Sequence, residues 1–431
     1  MKHEYFDLFD STENCYSAMN DFLVDNDKRD VFGSKNLIMP GYPTGLLNFD
    51  YANGYIVKPH NSKREPWQNL GIHGGSFYTI VGNTNVGKTA LTVKIASAMI
   101  RPYKMSDVFH NDIEGTSNPV RIQELNHFTD EEMEDRYHLQ DIPYIEDNFA
   151  MIDTLVKYKK QHAKEFEMKT GLYGIDGREI IVPYPTAVII DSQPSLQTKE
   201  VENSSELGSQ TYNMRVTIAL GTLYKRLRPS IRNANISVFI INHIKEKPQL
   251  GLVKKQSKIQ LLAADENIPG GSAALYYSQT MIRLRFRGQY KMEKHGFDGF
   301  LVEAEFLKSK TNKSGTKIEF VYDYNTGFDE WLTMLHFAQK QAVIHGRSPH
   351  CFFESDPSIK FSPKQFREAI KNEKLREAMM KDLAPKFVQL LSKNNIPLQD
   401  TEKDLIAENI IEKLNDGNVT DENYELGEEE I

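Results

Sequence analysis

Cysteine is almost missing from this chain: Cys15 and Cys351 are the only two in 431 residues. Two thiols so far apart exclude a disulfide framework and a cysteine-based zinc site, which leaves a pair of plain thiols as the expectation. Long apolar runs are missing too, since no stretch approaches the roughly 18 residues of a transmembrane helix. With 26% charged residues and a mean hydropathy of −0.52, the composition predicts a soluble globular protein with no membrane partner. The opening residues, Met-Lys-His-Glu-Tyr-Phe-Asp-Leu-Phe-Asp, lack the basic-then-apolar layout of a secretory signal, so the expected compartment is cytoplasmic.

An overall excess of positive charge is also lacking. The net charge is −8 and the isoelectric point about 5.9, values that argue against a polyanionic partner only if the charge is spread evenly. Residues 401–431 hold eleven Asp and Glu against two Lys, a contribution of −9, so residues 1–400 carry about +1. Residues 417–431 are predicted to be a disordered acidic tail. It would serve solubility, or compete with nucleic acid for a basic surface.

What the chain does contain is a complete phosphate-binding loop. Gly82, Asn83, Thr84, Asn85, Val86, Gly87, Lys88 and Thr89 fit G-x-x-x-x-G-K-[ST], between a strand-like run at 76–81 and a helix-like run at 90–100. Backbone amides of such a loop and of the following helix point at phosphate oxygens, and the two glycines let the main chain approach closely. Lys88 supplies a charge to the outer phosphates and Thr89 a hydroxyl for Mg²⁺, so ATP and Mg²⁺ are the expected cofactors.

Strand candidates at 107–111, 187–190, 237–241 and 281–286 alternate with helical patterns such as 215–231, which predicts an α/β fold with a mainly parallel sheet flanked by helices. Residues 1–35 carry apolar positions at helical spacing and read as a small helical arm. The stretch 127–180 is long for a simple crossover and predicts an insertion near residues 171–177. Residues 244–272 have little periodicity, and a loop of that length in a compact core is usually functional or disordered. Residues 364–387 read as helical, within a small C-terminal helical domain.

The run Thr186-Ala-Val-Ile-Ile-Asp191 ends an apolar strand in a carboxylate, and Asp191 is the expected magnesium residue. A base to orient water is expected at Glu114, with Asp112 as its rival because both lie near one strand's end. Asn242 and His243 close the run 238–241, where a polar pair can sense a γ-phosphate and move the loop that follows. That loop holds Lys245, Lys247, Lys254, Lys255 and Lys258, then Gly270 and Gly271. Lysines there can neutralise phosphates, and glycines let backbone amides meet them. Arg283, Arg285 and Arg287 alternate along a strand and therefore share a face.

Four features in order now coincide: Pro43-Thr-Gly-Leu-Leu-Asn-Phe-Asp, the phosphate loop, Asp112-Ile-Glu114 with Asn118-Pro-Val-Arg121 after it, and Ile268-Pro-Gly-Gly-Ser-Ala-Ala-Leu-Tyr-Tyr277. Together they resemble the RecA family of strand-exchange recombinases, most closely the phage UvsX type, over roughly residues 40–330. The stretch Phe361-Ser-Pro-Lys-Gln-Phe-Arg-Glu-Ala-Ile370 is similar to the C-terminal domain of that type. The resemblance implies an N-terminal oligomerisation arm (1–40), a RecA-like ATPase core with DNA-binding loops (41–335), a C-terminal helical domain (336–416) and the acidic tail. It implies an ATP-dependent filament on single-stranded DNA that pairs with and invades homologous duplex, in recombination, repair and recombination-dependent replication. Single-strand-binding and mediator proteins are the partners it suggests, and a phage origin would put the protein in a bacterial host's cytoplasm.

Carried over position by position, the resemblance implies Glu114 as the water-activating base and His243 as the γ-phosphate sensor, where bacterial members use Gln. It implies Asn118 and Arg121 at the adenine, and Lys308 and Lys310 reaching across a subunit interface to the neighbour's ATP. The first DNA loop would lie near residues 202–212, the second within 244–272, and Arg287 at a backbone-contacting position. A hexameric DnaB-like replicative helicase shares the core and the lead-in, but it carries a sizeable N-terminal domain and an arginine finger in place of the lysine pair. A third alternative is a signalling ATPase that oligomerises without DNA.

Overall fold

The computed structural model describes residues 38–59, 64–202, 210–246, 261–263, 266–270 and 273–392. Outside these residues lie nearly all of the expected N-terminal arm, the acidic tail, most of the first expected DNA loop, and Lys247, Lys254, Lys255, Lys258 and Gly271.

The architecture is α/β. Nine strands form the main sheet: β1 (Phe77–Gly82), β2 (Val108–Asp112), β3 (Tyr137–Gln140), β4 (Thr186–Asp191), β5 (Ile236–His243), β6 (Thr280–Tyr290), β7 (Gly299–Ser309), β8 (Lys317–Asp323) and β9 (Gly327–Asp329). Their order is β9-β8-β7-β6-β1-β5-β4-β2-β3. Every pairing from β6 across to β3 is parallel, and β7, β8 and β9 add on antiparallel. The helices used below are α1 (Lys88–Ile100), α2 (Pro119–Asn126), α3 (Ile145–Gln161), α4 (Gln210–Ala234), α5 (Glu330–Lys340) and α6 (Glu373–Ser392).

The parallel block exists because its strands are apolar on both faces. Every residue of β1 and β4 is buried, as a strand covered on two sides requires. Tyr78, Ile80, Ile189 and Ile241 face α1, whereas Phe77, Val81, Ile190 and Ile240 face α3 and α4. On α4 the residues Leu220, Leu223, Tyr224, Leu227 and Ile231 recur at helical spacing and are all buried. Each contributes about 2 kcal/mol of apolar burial, which fixes α4 against β5.

The lead-in at Pro43 is a polar staple. Thr44 donates to Asp50 from its backbone N–H (3.1 Å) and its hydroxyl (2.7 Å). Asn48 donates to the Glu319 carbonyl of β8 at 2.8 Å, so this segment is anchored to the sheet.

The stretch 127–180 resolves into several elements. A capping box at Thr129 and Glu132 starts the helix Asp130–Arg136. Then come β3 at the sheet edge, α3, and an antiparallel hairpin of Glu167–Tyr173 with Glu179–Pro183. The expected C-terminal helical domain requires correction. A three-stranded antiparallel sheet (Ile344–Arg347, His350–Phe353, Asp356–Phe361) precedes its helices. Two of these strands are only four residues long, too short for alternation to show in sequence. The boundary expected at residue 335 also falls inside α5, whose Met334, Leu335 and Ala338 pack with Phe353 and Met379 in one core.

No described helix is long and apolar enough to cross a membrane.

Candidate nucleotide site

The expected chemistry gathers where the parallel strands end. Residues 83–87 turn from β1 into α1, with Asn85 at φ 61° and Gly87 at φ 84°. A left-handed residue costs glycine little, and a Cβ at Gly87 would sit 3.1 Å from the Phe328 ring. A Cβ at Gly82 would lie 2.8 Å from the Leu284 carbonyl. No side chain caps α1, so its first amides remain directed at whatever occupies the loop.

Lys88 folds back and donates to the Asn83 carbonyl at 2.8 Å. Burial pulls its pKa down while Asp191 and Glu114 pull it up, and the net direction is down. Thr89 donates its hydroxyl to Asp191 at 2.6 Å, joining helix start to strand end. Burial raises the Asp191 pKa to about 6; the Thr89 hydrogen bond opposes this, and Glu114 and Asp112 add to it. Lys88 pulls the Asp191 pKa down as well, and a cation beside Thr89 and Asp191 would offset the remaining cost of the buried carboxylate.

Among the described residues no group of three or more His, Cys, Asp or Glu side chains converges to hold a metal ion. The residues at hand fit Mg²⁺ all the same. Thr89 and Asp191 offer hard oxygens, and Mg²⁺ ordinarily takes one or two protein ligands and fills its shell with phosphate oxygens and water.

Glu114 and Asp112 part company here. Asp112 is buried and accepts the Ser117 N–H at 2.7 Å, which ties down the turn after β2. Glu114 is more open: its carboxylate accepts from Ser192 and lies 3.5 Å from the Ser195 hydroxyl and 3.5 Å from His243 Nε2. Parallel register sets His243 beside Gly82, so base candidate and sensor candidate lie together on the β5 side of the phosphate loop. Neither serine was singled out from sequence, although Ser192 directly follows Asp191.

The site is wired to the loop after β5. Asn242 donates to the Pro269 carbonyl at 2.9 Å, and Gln193 donates to the same carbonyl at 3.1 Å. Tyr224 of α4 holds Gln193 in place at 2.8 Å. Gly270 has φ 89° and a Cβ there would collide with the Gln193 amide, so glycine is required. Lys245, exposed, sits in a short ribbon in which residues 245–246 pair with 266–267.

On the other flank, Asn118 caps α2 by accepting the Val120 N–H at 2.9 Å. Arg121 is held by Glu124 (2.7 Å), the Tyr322 hydroxyl (3.0 Å) and the Tyr324 and Asn325 carbonyls (both 3.1 Å). Tyr322 lies 3.9 Å from where a Gly87 Cβ would be, so the arginine and the loop border one surface. Half-exposed Tyr324 belongs to that surface and gave no sign in sequence.

The lysines expected at a neighbouring subunit's nucleotide and the arginines expected to share a face lie as follows. Lys308 pairs with Met281 near the start of β6, and β7 runs from there away from the phosphate loop's strand end toward Lys310. Through Met281 it is level with Thr79, three residues or roughly 10 Å along the strand before Gly82 and the loop. Burial lowers the Lys308 pKa to about 8, helped by Lys310 and Arg228. Lys310 and Arg228 line a cleft of about 430 Å³ at this opposite end.

Arg283, Arg285 and Arg287 do share a face, but that face carries its own counter-charges. Arg283 is buried between Glu266 (2.5 Å) and Glu305 (2.6 Å), Arg285 lies 2.9 Å from Glu305, and Arg287 lies 2.6 Å from Glu303.

No model of a known protein family matches this chain, and no curated protein matches it.

Proposed function

We propose that this chain is a DNA-dependent ATPase of the RecA-like kind. It would assemble into filaments on single-stranded DNA with ATP and Mg²⁺ and promote homologous pairing and strand exchange. The observation that carries the reading is the pair of ties meeting at β5. His243 stands 3.5 Å from Glu114 beside the phosphate loop, while its neighbour Asn242 holds Pro269 at the end of the lysine-bearing loop. A change at a γ-phosphate thereby has a short mechanical route to groups that would grip a nucleic-acid strand.

The strand order, with the phosphate-loop strand central and the antiparallel strands beyond β6, supports a RecA-like core. Glu114 takes the base role in this reading because Asp112 already secures its turn. Arg121 and Tyr324 would border the adenine, and Asn118 would reach its edge with an amide. Lys308 and Lys310 face away from their own phosphate loop, which fits action on the nucleotide of an adjacent subunit. When bound, Mg²⁺ would neutralise the phosphates, with Thr89 and Asp191 holding it.

Electron microscopy of the protein with single-stranded DNA and a slowly hydrolysed ATP analogue tests the proposal. Helical filaments are expected. Closed rings would turn the reading to a DnaB-like helicase, and the absence of any DNA-dependent assembly would overturn both.

A further inference from the structure

Behind Asp191 lies a histidine that the reading above does not use. His110 sits on β2, two residues before Asp112, and is wholly buried on the face that packs against α1. Its Nδ1 lies 2.8 Å from the hydroxyl of Tyr137, the first residue of β3. Its Nε2 has no hydrogen-bond partner and points toward Asp191 Oδ2 at 4.0 Å. A buried polar nitrogen left unpaired costs free energy unless something engages it, so its aim calls for an explanation.

A neutral imidazole carries one N–H and one lone pair, so the two ring nitrogens have different roles. Were the proton on Nδ1, the Nε2 lone pair would face the Asp191 carboxylate and be repelled. With the proton on Nε2, the Tyr137 hydroxyl donates to Nδ1 and the ring presents an N–H to the carboxylate. Burial and the nearby Asp191 and Asp112 raise the Tyr137 pKa well above its usual value, so the phenol keeps the proton it donates. Tyr137 thus fixes the tautomer, and the chain of donors runs Tyr137 to His110 to Asp191.

We propose that His110 is a positioning residue of the magnesium site, its Nε2–H being the donor that orients the Asp191 carboxylate toward the cation. In this arrangement the two groups stand 4.0 Å apart, and Thr89 holds the same carboxylate oxygen at 2.6 Å. Groups behind a metal ligand act in this way, setting the ligand's direction without touching the ion. The proposal rests on the reading of Asp191 as the cation-holding carboxylate.

The test is binding of a fluorescent ATP analogue by the full chain, titrated with Mg²⁺, with Asp191→Asn as control. His110→Phe keeps the ring volume and removes the donor; it should raise the Mg²⁺ concentration for half-maximal binding about tenfold. His110→Gln keeps a donor near Nε2 and should stay within about threefold of the parent. Melting without Mg²⁺ reads any purely structural loss, which would lower both variants' stability without moving their Mg²⁺ dependence. If Asp191→Asn moves the midpoint and His110→Phe does not, the His110 proposal is overturned. If Asp191→Asn leaves it unmoved, the Asp191 assignment fails first. Should His110→Phe not fold, Tyr137→Phe carries the test, since a freed tautomer should weaken Mg²⁺ dependence in the same direction, and an unchanged midpoint would sink the idea.

Discussion

The His243 ring stands 3.5 Å from the Glu114 carboxylate, the two reaching toward each other past the end of β4, which separates β5 from β2. Glu114 also accepts from Ser192, so the carboxylate is aimed from two sides at the mouth of the phosphate loop. A base held this way should be replaceable for binding and not for turnover. Glu114→Gln is expected to bind ATP within about threefold of the parent and to hydrolyse it at least about a hundredfold more slowly. Single-turnover assays with equilibrium nucleotide binding measure both. Unchanged hydrolysis would return the role to Asp112.

Asp191 is a carboxylate whose charge is costly where it sits. Its pKa in the fold, about 6, exceeds the ordinary carboxylate value of 3.8, with burial as the main cause. A raised folded pKa means that the protonated form is the better tolerated one. The associated stability is present below about pH 4 and is lost as pH rises through 6. At pH 7.5 without nucleotide, Asp191→Asn is therefore expected to stabilise the protein by about 2 kcal/mol, a few degrees in melting temperature, while weakening its Mg²⁺ dependence. The gain should shrink as the buffer is taken down toward pH 5. Identical melting of the two proteins across that range would show that Asp191 is not strained by its burial.

The contrast between these two sites follows what a sequence can display. Gly82–Thr89 and the run ending at Asp191 are local: a turn, a helix start and an apolar strand carry their own signals, and the structure joins them through the Thr89–Asp191 bond. Cross-strand relations are not local. Arg283, Arg285 and Arg287 gave a shared face by simple alternation, but their pairing with Glu303 and Glu305 depends on the β6–β7 register, with its two irregularities. His110 lies inside the strand candidate at 107–111 with nothing local to single it out, because its partner Tyr137 belongs to a four-residue edge strand inside a segment read only as an insertion. The C-terminal sheet was missed because two of its three strands have only four residues, the shortest span over which period two can register.

Lys308 and Lys310 lie at the end of the sheet away from their own phosphate loop, so any part they play in catalysis must be between subunits. The double variant Lys308→Ala/Lys310→Ala should bind nucleotide as the parent does yet lose DNA-stimulated turnover. Lys88→Ala should lose turnover for the opposite reason, a damaged loop with intact lysines. Mixed in equal amounts, the two should regain activity at roughly a quarter of their seams, those where a sound loop meets sound lysines. A mixture as inactive as either variant alone would exclude complementation across the seam.

Arg287 and Lys245 separate two kinds of positive charge. Glu303 offers both carboxylate oxygens to Arg287 at 2.6 Å, whereas Lys245 is exposed at the root of the loop, in the ribbon that pairs residues 245–246 with 266–267. A cation already neutralised releases few counterions from DNA when it binds. Lys245→Ala is thus expected to reduce the slope of log affinity against log salt by about one, and Arg287→Ala to leave it nearly unchanged. Arg283→Ala should act on folding instead, because it strands Glu305 and Glu266 without their buried partner, at a cost of about 3 kcal/mol. Fluorescence anisotropy on a single-stranded oligonucleotide across a salt series, with denaturant melts, distinguishes the three. An Arg287→Ala slope as shallow as that of Lys245→Ala would mean that Glu303 yields its arginine to the phosphate backbone.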